Sequence, residues 1–182
     1  NRWKTLHFFV RQAYQDVIIS FEKSNDLVEV YLVSDRQEDF PATLDLKIMD
    51  FNGNTKWQSE NQIDVVSQVS KIYSNVDFGG ISGENHLLVA RLMKGDSIIA
   101  ENLYYSIPVK DLKLPETKIS KTITNTDSGF QIELSADKLA KNVQLSMEQE
   151  GFFSDNYFDL PANRTITITA PLPDGWSLSQ VQ

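Results

Sequence analysis

Along most of the chain, apolar residues recur at every second position, which is the period of a strand with one buried face. Clear examples are Val28–Leu32 and Leu44–Ile48. Further strands are predicted at 17–23, 56–65, 68–77, 86–94 and 97–107. The Asn52-Gly53 pair predicts a tight hairpin. Roughly seven strands in about 95 residues is the density of an immunoglobulin-like sandwich.

The first residues follow a different period. Apolar residues at helical spacing predict one short helix with a single apolar stripe, made of Trp3, Leu6, Val10, Ala13 and Tyr14. A helix of about 14 residues is marginal by itself in water, so it must pack on another element. We expect one side to pack on the first sandwich. The surplus apolar surface predicts that Trp3 or Phe8 is exposed, or is covered by a second copy of the chain.

A connection with two prolines, Pro108 and Pro115, interrupts the alternation and predicts a domain boundary. Beyond it the period of two resumes, with stripes within 130–134, 143–147 and 166–168. The predicted fold is therefore all-β, with two immunoglobulin-like β-sandwich domains preceded by one short N-terminal helix. The predicted divisions are the helix at 1–15, the first sandwich at 16–110 and a smaller second sandwich at 111–182.

Composition narrows the classes of function. The 17 Lys and Arg against 25 Asp and Glu give a net charge of −8. This argues against nucleic acid and anionic lipid as partners, because both require a basic surface. With no cysteine, the chain has no disulfide or thiolate chemistry. No apolar run approaches the roughly 18 residues of a membrane span. Because the chain begins at Asn1 rather than Met, we expect it to be processed or cut from something longer.

Residues that could carry chemistry are scattered. His7 and His86 lie on different predicted elements, so no metal site is expected. The glycine-rich stretch 79–83 fits no phosphate-binding or nucleotide-binding motif. The carboxylates Glu148, Glu150, Asp155 and Asp159 could supply a glycosidase pair only in the loose sense that any acidic strand does. We therefore assign no catalytic, cofactor or metal residue.

The stretch GFFSDNYFDL, residues 151–160, is the densest in aromatic and acidic side chains. Taken as a strand, it would place Phe158 and Leu160 on one face, in a core, with Tyr157 on the other. Tyr157 would then bury its ring and direct its hydroxyl at a backbone partner. The alternative is a surface on which sugars stack. Trp57 and Trp176 are the other stacking candidates, and of the three Trp57 is the strongest because it follows the hairpin.

Several blocks of sequence resemble the C-terminal region of the family 2 β-mannosidases. The opening Arg2-Trp3-Lys4-Thr5-Leu6-His7 resembles the start of the last helix of that family's catalytic barrel. The blocks 33–36, 48–53 and 101–115 resemble its first post-barrel sandwich domain and the junction that follows. The block 152–160 resembles its final immunoglobulin-like domain. The resemblance spans nearly the whole chain.

The resemblance implies a parent enzyme that hydrolyses terminal β-linked mannose with retention. The two barrel glutamates of that family lie upstream of the Trp3-Lys4 segment, so no residue here inherits a catalytic role. The chain would be non-catalytic accessory domains that support the barrel. The chain departs from the family where Leu160 leads directly to Pro161-Ala162-Asn163, and again in its final residues, where the family's last strand is expected to be missing or unusual.

The implied partner is the catalytic barrel of the parent. Carbohydrate and a second copy of the chain remain open as partners, and no cofactor is implied. A carbohydrate-binding module and an adhesin-like interaction module remain alternative functions. A parent from a glycan-degrading bacterium would be periplasmic or extracellular.

Overall fold

A computed structural model describes residues 3–126, 129–147 and 152–171 of the 182-residue chain. These residues form one helix, twelve strands and one 3₁₀ turn. In chain order they are α1 (Thr5–Ala13), β1 (Val17–Ser24), β2 (Leu27–Ser34), β3 (Phe40–Asp50), β4 (Thr55–Val65), β5 (Val69–Asp77), β6 (His86–Lys94), β7 (Ser97–Tyr104), the 3₁₀ turn (Val109–Asp111), β8 (Ile119–Thr126), β9 (Gly129–Ala136), β10 (Ala140–Val143), β11 (Phe158–Leu160) and β12 (Thr165–Pro171). The predicted all-β class with one short helix is confirmed.

The chain divides into two compact units. The first-sandwich unit holds Gln12–Asp50 and Asn54–Leu114. The second-sandwich unit holds the described residues up to Arg11, the three residues Phe51–Gly53, and the described residues from Pro115 onward. Most of α1 thus groups with the second sandwich, whereas the sequence led us to expect it beside the first.

The first-sandwich unit consists of two antiparallel sheets, ordered β1-β2-β5 and β4-β3-β6-β7. Alternate residues of β2 and β3 are buried, as the period of two predicts. The buried side chains of both sheets form one core, which includes Val30, Leu32, Leu44, Leu46, Ile48, Leu88 and Leu92. The seven strands expected from the sequence are all present, although β7 ends at Tyr104 rather than at 107.

The second-sandwich unit is smaller and less regular. A three-stranded antiparallel sheet has the order β12-β9-β8, and β10 pairs with β11 across an irregular register. Alternate residues of β9 are buried against a core that includes Leu134, Val143, Phe153, Leu160 and Ile168. Strand β8, which the sequence analysis did not predict, lies at the edge of its sheet and is exposed over nearly its whole length. This exposure explains why it carries no apolar alternation.

Helix α1 is nine residues long and buries only Phe8. The expected exposure of Trp3 is observed, whereas Phe8 is buried within the unit. No helix in the described parts of the chain is long and apolar enough to cross a bilayer.

The predicted Asn52-Gly53 turn joins β3 to β4, and Gly53 adopts a φ of +92°. A Cβ at this position would overlap the Asn163 side chain and lie 2.9 Å from the Ala162 Cβ. Gly79 also has a positive φ, of +53°, but a Cβ there would meet nothing within 4 Å. Substitutions at these two glycines therefore distinguish the cost of backbone strain, present at both positions, from the cost of steric overlap, present only at Gly53.

We expect Gly53→Ala to destabilise the chain by about 2–4 kcal/mol, since it adds overlap to a strained backbone. Gly79→Ala should cost only about 1–2 kcal/mol, the penalty for a left-handed residue with a side chain. Urea denaturation of the two variants measures the difference. Equal losses would show that the space around Gly53 adapts without cost.

Candidate functional site

The stretch 152–160 is a strand only at its end. Strand β11 covers Phe158–Leu160, and Tyr157 just before it adopts a left-handed φ of 60°. Such a conformation reverses the alternation of faces, so the expectation of one continuous strand is wrong upstream of Phe158. Leu160 is fully buried as predicted, while Phe158 is half-buried against the same core.

Two polar residues of this stretch, Ser154 and Asn156, hydrogen-bond to backbone groups of neighbouring segments. The buried Asn156 accepts a hydrogen bond from the Leu145 N–H at Oδ1, at 2.8 Å, and donates from Nδ2 to the Leu145 carbonyl, at 2.9 Å. Ser154 donates its backbone N–H to the Thr169 carbonyl at 2.7 Å, and its Oγ accepts from the Thr169 N–H at 2.8 Å. Both residues thus satisfy backbone groups of neighbouring segments, which would otherwise be costly to bury.

The two carboxylates of the stretch have structural contacts. Asp155 accepts a hydrogen bond from the Asn156 N–H at 2.8 Å. Asp159 accepts from Lys141 Nζ at 2.7 Å and from the Asn142 N–H at 2.8 Å. The side chains of Lys141 and Asp159 are only 11% and 16% exposed, so this ion pair is largely withdrawn from solvent. Glu148 and Glu150, the other carboxylates considered from the sequence, lie outside the described residues.

The aromatic side chains of the stretch hold helix α1. Phe152 meets Trp3 edge-on, with ring centroids 4.7 Å apart, and Tyr157 meets Phe8 at 5.8 Å. Arg11 donates from Nη1 to the Ser154 carbonyl at 2.5 Å. Phe153 points the other way, into the core. The stretch therefore forms a socket for α1, which we call the helix socket and define as residues 152–157.

The two sugar-stacking candidates that the structure describes belong to different units. Trp57, on β4 opposite Ile48, is half-buried and packs against the core of the first-sandwich unit. The Tyr157 ring lies against Phe8 in the second-sandwich unit, and its hydroxyl is 3.4 Å from Gln144 Nε2. Trp176 lies outside the described residues.

The two histidines also belong to different units. His7 lies beside Trp3, with ring centroids 5.7 Å apart. His86 is buried at the start of β6, where its Nδ1 lies 2.9 Å from the Ser82 carbonyl. In the part of the chain that the structure describes, no group of three His, Asp or Glu side chains is placed to hold a metal ion.

The sequence analysis missed the helix socket. The socket and the helix that it holds are far apart in the sequence: the hydrogen-bonded residues Arg11 and Ser154 are 143 positions apart. The only indication in the sequence was the large number of apolar residues in α1, which predicts that the helix packs on more than one surface. It did not identify which sandwich supplies that surface.

Comparison with known families matches two consecutive parts of the chain. Residues 26–111 match the model of the mannosidase Ig/CBM-like domain. Residues 114–182 match the model of an Ig-fold domain that is named for mannosidases. Together the two matched ranges cover most of the chain and meet in the connection that precedes Pro115.

Individual proteins and solved structures also match the chain. β-Mannosidase A of Aspergillus fumigatus is 24% identical over an alignment that covers 88% of this chain and 19% of the relative. The crystal structure of a β-D-mannosidase from Dictyoglomus thermophilum matches 96% of this chain and 22% of its own, with a TM-score of 0.87 and 21% identity. An exo-chitosanase of Amycolatopsis orientalis matches 90% of this chain and 24% of its own, with a TM-score of 0.65 and 13% identity. The chain thus spans about a fifth of the length of the curated relatives it matches.

The Asn156 contacts lead to a stability prediction. Asn156→Ala leaves the N–H and carbonyl of Leu145 without their partner, and we expect a loss of about 1–3 kcal/mol. The exposed Asn61, which donates only to the Ser59 hydroxyl, provides a matched control: Asn61→Ala should change stability by less than about 0.5 kcal/mol. Urea denaturation measures both. Equal effects would mean that the Asn156 hydrogen bonds contribute nothing.

A second prediction separates the two apolar residues of β11. Leu160→Ala should cost about 2–5 kcal/mol, because the leucine is fully buried and its removal leaves a cavity. Phe158→Ala should cost less than the roughly 3–5 kcal/mol of a fully buried phenylalanine, since its ring is only half-buried. Thermal unfolding of the two variants gives the ranking. A Phe158 variant less stable than the Leu160 variant would contradict it.

Proposed function

From the premise that the chain is a pair of mannosidase-type immunoglobulin-like domains, we propose that it is the non-catalytic accessory part of a β-mannosidase. The observation that carries the proposal is the match of 96% of the chain, at a TM-score of 0.87, to about a fifth of a β-D-mannosidase. In this proposal the chain follows the catalytic barrel. The parent hydrolyses terminal β-linked mannose with retention, using glutamates that lie upstream of the Trp3-Lys4 segment.

The physical role of the chain in this proposal is to support the barrel, and α1 is the point of attachment. On the side away from Phe8, the helix leaves Leu6 69% and Phe9 50% exposed, and Tyr14 just after it is 86% exposed. Val10 is exposed as well. So many large apolar side chains on one short helix are a cost in water unless another surface covers them. The barrel of the parent is the proposed cover.

Sugar binding is the second candidate, because the model that matches residues 26–111 describes a domain that is CBM-like. A stacking platform requires an open aromatic face. Trp57 packs against the core and the Tyr157 ring against Phe8, so both have a structural role already. These contacts favour the supporting role over the binding role.

An activity assay tests whether the parent is catalytic and the chain is not. The purified chain should release no aryl alcohol from an aryl β-mannoside above a control without protein. The parent should hydrolyse the same compound, and NMR should show β-mannose as the first product, as retention requires. A rate from the chain that survives repurification and rises with its concentration would overturn the non-catalytic assignment. A parent that does not cleave β-mannosides would overturn the assignment of the parent.

The attachment role predicts opposite effects on the two sides of α1. Replacing Leu6 and Phe9 together by serine should make the isolated chain more monodisperse in analytical ultracentrifugation and leave its melting temperature unchanged. The same change in the parent should lower the melting temperature, because it weakens the contact with the barrel.

Phe8→Ser is the matched control for that experiment. Phe8 is buried against Trp3, Phe152 and Tyr157, so this variant should lose about 3–5 kcal/mol in the isolated chain. If the double serine variant also destabilises the isolated chain, the exposed side of α1 is covered within one chain, and the attachment role is wrong.

A further inference from the structure

The outer face of the sheet β1-β2-β5 carries a row of apolar side chains. Ile18 pairs with Val33 across β1 and β2, and Tyr31 pairs with Ile72 across β2 and β5. Ile18, Tyr31 and Val33 are half-buried, and Ile72 is 39% exposed. On the same face of β2, Leu27 is 40% exposed. The row therefore crosses all three strands and is open to solvent.

The outer face of the other sheet in this unit is different. Its apolar residues Leu87 and Val89 are only 1% and 2% exposed. Two ion pairs lie on it, Asp45 with Lys47 at 2.9 Å along β3 and Arg91 with Glu101 across β6 and β7. The open apolar surface of the first sandwich is thus concentrated on one sheet, which is the arrangement expected of a contact face rather than of random exposure.

Two carboxylates border this row. Glu22 and Glu29 lie directly opposite each other on β1 and β2, a placement that is unfavourable for like charges. The Tyr31 hydroxyl donates to Glu29 Oε2 at 2.9 Å. This hydrogen bond, followed by burial and by the charges of Glu29 and Glu22, raises the pKa of Tyr31 to about 12.

One hydroxyl does not satisfy two carboxylates. Each carboxylate can accept about four hydrogen bonds, and Tyr31 supplies one proton to the pair. Among the described residues no lysine or arginine forms an ion pair with Glu22 or Glu29. A guanidinium, planar and with five donors, is the group that best bridges two such carboxylates.

We propose that the outer face of the β1-β2-β5 sheet docks on another domain of the parent chain, through an aliphatic surface on which an arginine bridges Glu22 and Glu29. The inference rests on the proposed function, which supplies the parent. The matched relatives are about five times longer than the region they share with this chain, so such a surface is available within one polypeptide. We call this face the Tyr31 face, defined by Ile18, Glu22, Glu29, Tyr31, Val33 and Ile72.

Two other occupants fit the Tyr31 face less well. A second copy of the chain carries the same −8 charge, and a symmetric contact would have to bury the same acidic pair from both copies. A glycan would need aromatic platforms, whereas the neighbours of Tyr31 in the row are aliphatic. An aliphatic row with an acidic border is complementary to an aliphatic protein surface with a basic group.

Hydroxyl-radical footprinting of the 182-residue chain and of the full-length parent tests the proposal. Labelling of Tyr31 and Ile72 should be several-fold lower in the parent than in the chain. Tyr104, which packs against Phe21 and Phe78 within the same unit, is the internal reference and should be labelled equally in both. Equal labelling of Tyr31 in the two proteins would overturn the proposal.

Two charge-reversal variants test whether an arginine bridges Glu22 and Glu29. In the parent, Glu22→Lys should restore the labelling of Tyr31 and Ile72, because the new lysine repels the bridging group. Glu60→Lys makes the same change at an exposed position of β4, on the other sheet, and should leave the labelling low. If both variants or neither restore labelling, the acidic pair does not determine docking, and the proposed recognition is wrong.

The other occupants give distinct outcomes. Labelling of Tyr31 that falls as the concentration of the isolated chain is raised would assign the face to a second copy. Labelling that falls only when mannan is added would assign it to a glycan. Either result overturns the proposal. The β-mannosidase assay of the parent is independent of these measurements, so a parent without that activity would refute the proposed function and leave the footprint to be judged separately.

Discussion

The second-sandwich unit depends on hydrogen bonds that satisfy backbone N–H and carbonyl groups outside its regular strands, because such groups are costly to bury without a partner. Its strands β10 and β11 are four and three residues long and pair across an irregular register. Between these strands, the Asn156 side chain bonds both backbone groups of Leu145, while Ser154 bonds those of Thr169 with its hydroxyl and its own N–H. With these bonds in place, Phe153 and Leu160 are buried in the core, while Phe152 and Tyr157 are directed at helix α1.

The stretch 152–160 therefore contacts both the sandwich and helix α1. Its polar atoms stabilise the sandwich and its aromatic rings form the helix socket. Tyr157 is held in a left-handed conformation that is unusual for a bulky residue, and its ring contact with Phe8 and the hydrogen bond from its N–H to Asn156 Oδ1 at 2.9 Å offset the strain. A dense group of aromatic and acidic residues that resembles a binding site is, in this structure, a point of internal attachment.

Exposed apolar surface is distributed unevenly over the molecule. Helix α1 leaves Leu6, Phe9 and Val10 exposed, and the β1-β2-β5 sheet leaves Leu27, Val69 and Ile72 exposed. Under the proposed function such surfaces are expected, because accessory domains expose the faces by which they pack on the rest of a larger enzyme.

The sequence by itself determined the all-β class, the seven strands of the first sandwich and the short helix, because burial on one face imposes a period of two or of 3.6 on apolar residues. It also indicated Leu160 as a core residue. It could not show that residues 152–157 leave the strand conformation, because the contacts of Ser154 with Thr169, of Asn156 with Leu145 and of Tyr157 with Phe8 join segments that are distant in the sequence. Only the tertiary structure decided that α1 packs on the second sandwich and that Trp57 covers a core. Those outcomes depend on contacts between distant segments, which no local period encodes.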